Sequence, residues 1–358
     1  MNTMPTIYDV ARKAGVSPKT VSRVLNQEPN VRQTTLEAVE RAIEYLDYRP
    51  STAARLLKSQ RTRVVGFLTD RVVTSPEANA IARGVSEAAR AAGYTVIFLN
   101  ELSSDAPLTG QAFNQLVDLK VDGIIYASHL LRQIDVTGYA DHNKPLVLAN
   151  CFSGEGAFTA IIPDDKRGGQ LAAEMIIAHG HRRVTMLNLD EASFAAGDRW
   201  IGFSQGFSVA GLAAPTMVTS IFEDAGSWDE HRHLPKILDE VLAAPEPPTV
   251  LFCGNDKLAM VVYGLLAQRG VRVPDDISVV GYDDFPHICQ LLRPRLSSVS
   301  IAHDLIGQRA FDELYRQLND LPGIDKAAPA LIKVEGAPFA RASLADLKTA
   351  RGQSGVGP

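Results

Sequence analysis

Between Ala14 and Lys19 the chain has room for a turn and little else. Gly15 ends one helical pattern, because glycine takes the left-handed backbone that closes a helix without strain. Two residues later Ser17-Pro18 opens another, a capping hydroxyl followed by the one residue type whose φ is already helical. Upstream, Thr6 with Asp9 three residues on fits a capped start, and Val10, Ala11 and Ala14 set small apolar side chains on one face. Downstream, Val21, Val24 and Leu25 fall at i, i+3 and i+4 and must find a core, while Pro18, Lys19, Ser22, Arg23 and Asn26 share the opposite face. The pattern predicts two short helices joined by a tight glycine turn, a helix-turn-helix whose second helix is polar and basic on one side. Such a face suits a major groove. Arg23 and Lys19 carry donors that guanine accepts, and Ser22, Thr20 and Asn26 can hold phosphates. The residues alone also allow an ordinary helical hairpin with one solvated side.

Charge separates the two readings. Ten basic and six acidic side chains leave residues 1–61 at +4, so the remainder of a chain of net charge −5 carries −9. A basic head on an acidic body is the asymmetry of a small DNA-binding module joined to something that does not touch DNA. A third helical pattern over residues 31–46, with Leu36, Val39, Ile43 and Leu46 on one face, completes a core that two short helices could not build alone. Tyr48-Arg49-Pro50 stops it. Ser51 to Gln60 then holds good helix formers in AARLLK but is too short for a helix stable by itself, so it reads as a hinge or as a plain linker.

From Val64 the pattern becomes short apolar strands alternating with amphipathic helices. VVGFLT, TVIFL, GIIYA and PLVLA form one series, with helices near 77–92 and 113–119; VTMLNL, TMVTSIF, TVLFC and ISVVG form a second, with helices near 167–178, 201–210, 231–243 and 257–268. LSSVS, a helix near 304–318 and a strand near 330–334 follow. Alternation of this kind predicts parallel sheets with helices on both faces. Gly93, Gly180, Gly211 and Gly270 each stand just before a strand, a repeated helix-ending signal that predicts two similar α/β halves. Ligands bind such sheets past the strand ends. There the chain has Asp70, Asn150, Asn255-Asp256 and Asp283-Asp284, with Arg199 at the start of a helix and Trp228 in a loop. Carboxylates and amides pair with hydroxyls, an arginine fork grips two neighbouring ones, and an indole covers the C–H face of a pyranose. Asp164, Asp165, Asp256 and Asp284 equally fit helix caps, and Trp228 an ordinary buried aromatic.

Several function classes are disfavoured. No run approaches the ~20 apolar residues of a membrane span, and MNTMPTIYDVARK offers no apolar export core, so a cytoplasmic, nucleoid-associated protein is expected. Cys151, Cys253 and Cys289 are widely spaced and apolar in context, which predicts buried thiols; the pairs His179/His181 and His231/His233 diverge on a helix, so no metal is expected. With no phosphate loop, no G-x-S-x-G and no dinucleotide fingerprint, neither an enzyme nor a cofactor is predicted.

The run TIYDVARKAGVSPKTVSRVLN, the later YRPSTAARLLK and the motifs R..GF, NDKLA and GYDD together resemble the LacI/GalR family of bacterial transcription regulators, over Thr6 to about Arg341. The resemblance implies an all-α helix-turn-helix head (1–50), a hinge (51–61) and a two-lobed body like the periplasmic binding proteins, with Rossmann-like lobes. It implies a first lobe of 62–162 and 298–321, a second of 163–297 and 322–341, and crossings near Ile162, Ser298 and Leu321; the Gly/Ser-rich end of SLADLKTARGQSGVGP separately predicts a disordered tail (342–358). In that family the hinge folds on operator DNA and wedges a leucine into the minor groove, by motif position Leu57 with Ala54 and Arg55 beside it. Thr6, Tyr8, Ser17, Pro18 and Tyr48 join the expected DNA contacts, and Pro18 either packs on a thymine methyl or only starts its helix. Arg199, Asn255 and Asp283 match effector-contacting positions. The expected molecule is a homodimeric repressor on a near-palindromic operator, controlled by a sugar-like effector. A purine or nucleoside co-repressor is the alternative, and a sugar-binding protein without regulatory role the alternative from another class. The chain departs from the family with Asp164-Asp165 for the common Asp-Asn, with DRVVTSP after the first strand, and with His129 after GIIYAS.

Overall fold

A computed structural model describes residues 5–25, 31–48, 61–70, 76–100, 111–136, 139, 144–154, 156–190, 193–220, 231–319 and 328–348. These fall into two compact units, residues 1–62 and 63–358.

The first unit has three helices, α1 (Ile7–Ala14), α2 (Pro18–Leu25) and α3 (Gln33–Tyr45). Asp9 reaches back to the Thr6 N–H at 2.9 Å and accepts the Thr6 hydroxyl at 2.7 Å. Gly15 takes φ 68°, and the Ser17 hydroxyl accepts the Thr20 N–H at 3.1 Å, so one helix ends and the next begins as their sequences dictate. Val10, Ala11, Val21, Val24, Val39, Ala42 and Tyr48 close the core. Lys13 Nζ lies 3.8 Å over the Tyr45 ring and ties α1 to α3.

The second unit contains two six-stranded sheets. The first joins β1 (Val64–Thr69), β2 (Thr95–Asn100), β3 (Gly123–Ile134), β4 (Leu146–Ser153), β5 (Ala160–Pro163) and β11 (Leu331–Val334) in the order β11-β5-β4-β3-β1-β2. The second joins β6 (Val184–Asn188), β7 (Thr216–Thr219), β8 (Val250–Cys253), β9 (Ser278–Asp283), β10 (Ser297–Ser300) and β12 (Pro338–Phe339) in the order β12-β10-β9-β8-β6-β7. All neighbours are parallel except β10 and β12. Alternate residues serve opposite faces: Val65, Phe67, Ile125 and Val147 belong to one core, Leu68, Ile124, Tyr126 and Leu146 to another.

The helices are α4 (Pro76–Ala91), α5 (Gln111–Asp118), α6 (Asp165–Ala178), α7 (Phe194–Val209), α8 (Leu234–Leu242), α9 (Asp256–Gln268), α10 (Pro286–Cys289) and α11 (His303–Asn319). In each lobe one helix pair crosses at glycines. A Cβ on Gly84 or Gly307 would run into the backbone of α11 or α4, and one on Gly169 or Gly202 into that of α7 or α6. The backbones touch, so only glycine fits.

Five expectations change. β5, wholly buried but only four residues long, has no readable alternation, and α7 starts seven residues before the expected Ile201 because Ala195 and Ala196 are buried and not in a loop. β3 runs on to Ile134, re-pairing Arg132 with Cys151 after an irregular stretch beyond Ala127. The crossings also differ: β10 stays in the second sheet, and β11, expected in the second lobe, pairs with β5 of the first. The lobes therefore exchange chain after Pro163, Ser300 and Val334. Finally, the tail expected to be disordered from 342 is packed as far as 348. Ser343 and Leu344 are buried, Ser343 Oγ donates to the Val279 carbonyl at 2.6 Å, and the Leu347 N–H reaches the His179 carbonyl. No helix of the described residues is long and apolar enough to cross a membrane.

Candidate functional site

Helix α2 buries Val21 and Val24 and leaves Lys19 exposed, with Pro18, Thr20, Ser22 and Arg23 half-buried beside it. Ser17 and Thr20 hydroxyls lie 2.9 Å apart, so each is partly spent on the other as well as on the helix start. Tyr8 stands out from α1 at 66% exposure, and Thr6 is exposed but held by Asp9. Tyr48 corrects the expectation: at 6% exposure its ring is a member of the head core and packs instead of reaching outward. Asn26, Ala54, Arg55 and Leu57 lie outside the described residues, as does Trp228 of the body.

In the body, the C-terminal edges of the two sheets meet. Glu77, past β1, pairs with Lys257, past β8, at 2.7 Å, and the Phe152 ring at the end of β4 stands 5.3 Å from that of Phe194, past β6. The expected ligand residues gather on these edges in two groups.

On the first lobe Asp70 is the centre. Its buried carboxylate accepts from the Ser128 hydroxyl (2.8 Å) and the His129 N–H (3.1 Å), and sits 3.1 Å from His129 Nδ1 and 2.9 Å from an Arg132 Nη. Arg132 also donates to Ser128 Oγ and to the Tyr126 hydroxyl. Burial alone would push the Asp70 carboxyl up; the His129 and Ser128 bonds outweigh it and hold it below its ordinary value. Asn150, φ 56°, donates to the Ser128 carbonyl at 3.0 Å. Asp70 and Asn150 thus organise the edge, and Arg132 and His129 are what it presents. The sequence hid Arg132 because it follows an irregularity in β3 and so belongs to no readable period.

On the second lobe Arg199, almost fully buried, donates twice to one oxygen of Asp165 (3.0 and 2.7 Å) and to the Gly254 carbonyl, with its guanidinium 3.7 Å over the Tyr282 ring. Burial pulls its pKa down, but Asp165, Tyr282 and Asp283 outweigh that and keep it charged. The other Asp165 oxygen, buried, has no hydrogen-bond partner. Asp165 is therefore an ion-pair partner and not a cap; Asp164 does the capping, accepting from the Arg167 N–H. At α9 the expected roles exchange. Asn255, expected at the ligand, caps the helix by accepting the Leu258 N–H at 2.7 Å. Asp256, expected to cap, turns inward to accept Ser298 Oγ (2.7 Å), the Phe285 N–H (2.8 Å) and the Cys289 thiol (3.2 Å). Burial raises Asp256 to about 6. Asp284 pairs with Arg341 at 2.7 Å and caps nothing.

Asp283 stands apart. Its φ of 111° is one that side-chain-bearing residues rarely adopt. Burial first, then Asp256, raises its carboxyl well above the ordinary value, while Arg199 and Lys257 pull it down. Strained backbone and a displaced pKa at a sheet edge are features that recur where proteins bind ligands. Among the described residues no group of His, Cys, Asp and Glu could hold a metal ion, and all three cysteines are buried and free.

Residues 6–51 match the model of bacterial regulatory proteins of the lacI family, and residues 62–337 that of periplasmic binding proteins and the sugar-binding domain of the LacI family. The chain is 33% identical over 310 residues to the sucrose operon repressor of Shigella flexneri, covering 86% of this chain and 92% of that one. It is 32% identical over 318 residues to the HTH-type transcriptional repressor PurR of Erwinia tasmaniensis, covering 87% and 89%. Its fold matches that of the lac repressor dimer solved on operator with an anti-inducer, at 24% identity and a TM-score of 0.76, over 96% of this chain and 100% of that one.

Proposed function

Because the chain belongs to the LacI family of bacterial regulatory proteins, we propose that it is a homodimeric transcriptional repressor that grips operator DNA and answers to a small hydroxylated effector bound between its lobes. What carries the reading is one chain that joins a helix-turn-helix with an exposed basic side to a body whose two sheet edges meet at Glu77 with Lys257 and at Phe152 with Phe194, one edge carrying Asp70 and Arg132 and the other Arg199 and Asp283. Two heads related by a twofold axis would read half-sites about one helical turn apart, Arg23 and Lys19 at base edges and Tyr8, Thr6 and Ser22 at the backbone. Residues 51–61 serve as the hinge, with Leu57 as the minor-groove wedge.

The effector class follows from the chemistry of the edges. Asp283 offers a carboxyl that can bond neighbouring hydroxyls, Arg132 and His129 offer donors from the opposite lobe, and paired charges elsewhere leave little demand for a charged ligand. A sugar satisfies both sides. The similarity to a purine-operon type of repressor keeps a second reading, a purine or nucleoside acting as co-repressor. In either case the ligand controls DNA only through unequal affinity for two arrangements of the lobes.

Selection of binding sites by the full chain from a random duplex pool tests this. A twofold-symmetric sequence should emerge, with affinity falling steeply as salt rises, and one sugar or purine of a panel should change that affinity. A pool that yields no symmetric sequence at any salt sinks the reading.

A further inference from the structure

Glu77 is in the first turn of α4 in the first lobe and Lys257 in the first turn of α9 in the second. Their Oε1 and Nζ atoms are 2.7 Å apart, with side-chain exposures of 15% and 48%. Three residues, Asn255, Asp256 and Lys257, thus leave one helix start for three destinations: the helix itself, the 283–289 turn, and the opposite lobe. The Lys257 ammonium also lies 5.9 Å from the centre of the Phe285 ring, and that ring stacks within 6° on His303 of α11, a first-lobe helix. Burial pulls the His303 imidazole down to about 4, so it meets Phe285 uncharged.

We propose that Glu77 and Lys257 are an interlobe clasp: their ion pair holds the two sheet edges together in the arrangement seen here, and its loss shifts the chain toward a more open one. Lysine suits this task, being a compact point charge on a flexible four-carbon stem that can reach across from its own helix. The two residues position the lobes without touching the effector. The inference rests on the effector reading only for its consequence, since the clasp itself needs neither effector nor DNA.

Nitroxide labels on the full chain at Gln115→Cys in the first lobe and Val209→Cys in the second, both exposed, report the interlobe distance, while the buried Cys151, Cys253 and Cys289 stay unlabelled. Pulsed dipolar spectroscopy should show the longer-distance population rising about fivefold in Glu77→Gln and in Lys257→Met, the size expected of a partly exposed ion pair. The double variant should open no further than either single one, because a shared interaction is lost only once. Potassium chloride at about 1 M should open the parent chain and leave Glu77→Gln unchanged. Unaltered distances in both single variants, or a double variant whose opening is the sum of the two, overturn the proposal. Neither result bears on operator selection, which stands or falls separately.

Discussion

A buried carboxylate stands at the sheet edge of each lobe, Asp70 in the first and Asp256 in the second, and these two acids behave oppositely. Asp70 and Asp256 are both deep enough for burial to be the largest influence on them. Yet Asp70 lies below its ordinary value, and Asp256 is raised to about 6. The difference is the charge of what each one holds. Asp70 gathers an arginine and a histidine, whereas Asp256 gathers a serine hydroxyl, a backbone N–H and a thiol, none of which repays the loss of water around an ionised oxygen. In the first lobe the buried acid fixes two cations at the sheet edge; in the second it holds the turn that follows Asp283.

Removing the acids should separate those roles most sharply. Asp70→Ala leaves Arg132 and His129 without their shared counter-charge and should cost about 3 kcal/mol by denaturant titration; a cost equal to that of Asp256→Asn would mean the cations contribute nothing. Next in size are the helix crossings. Gly202→Ala and Gly84→Ala should each cost roughly 2 kcal/mol, since a Cβ would collide with the Lys166 or Asp304 carbonyl oxygen. Only Gly202→Ala should also shift tryptophan emission, because Trp200 and Arg199 lie on that helix; a shift in Gly84→Ala would mean the lobes are not separable. Asp256→Asn should cost no more than about 1 kcal/mol at neutral pH, losing the acceptor for the Phe285 N–H while removing an ill-compensated charge.

The smallest effect is in pH. Asp256 keeps its proton to about 6 when folded against 3.8 as the ordinary value, so the folded chain binds more protons between them. Its contribution to stability declines as pH rises through that window and is level above it. Asp70, lowered, contributes stability above its unfolded value that is lost as pH falls. Urea midpoints across about pH 2 to 7 should thus lose their decline on the rising side in Asp256→Asn and part of their acid-side loss, below about 4, in Asp70→Asn. Identical profiles would erase the contrast.

Much of this was legible before any tertiary contact was known, and the misses share a cause. Thr6, Gly15, Ser17 and the glycines at 93, 180, 211 and 270 act on backbone within four residues, so their types announce what they do. Asn255 and Asp256 are adjacent and both can cap; which one does depends on Ser298, Phe285 and Cys289 arriving from elsewhere. Tyr48 fits an exposed reader as well as a core residue until α1, α2 and α3 close around it. The short buried strand β5 and the late strand β11 declare neither alternation nor lobe until they pair.

Helix starts, helix ends, the strand and helix alternation and the charge contrast between head and body were written in the order of residues, because each depends on neighbours a turn or two away. The partners of Asp70, Asp165, Asp256 and Glu77 were not. An ion pair or a buried hydrogen bond depends on distance and on excluded water, and residues as far apart as 77 and 257 acquire both only when the sheets have formed and their edges have met.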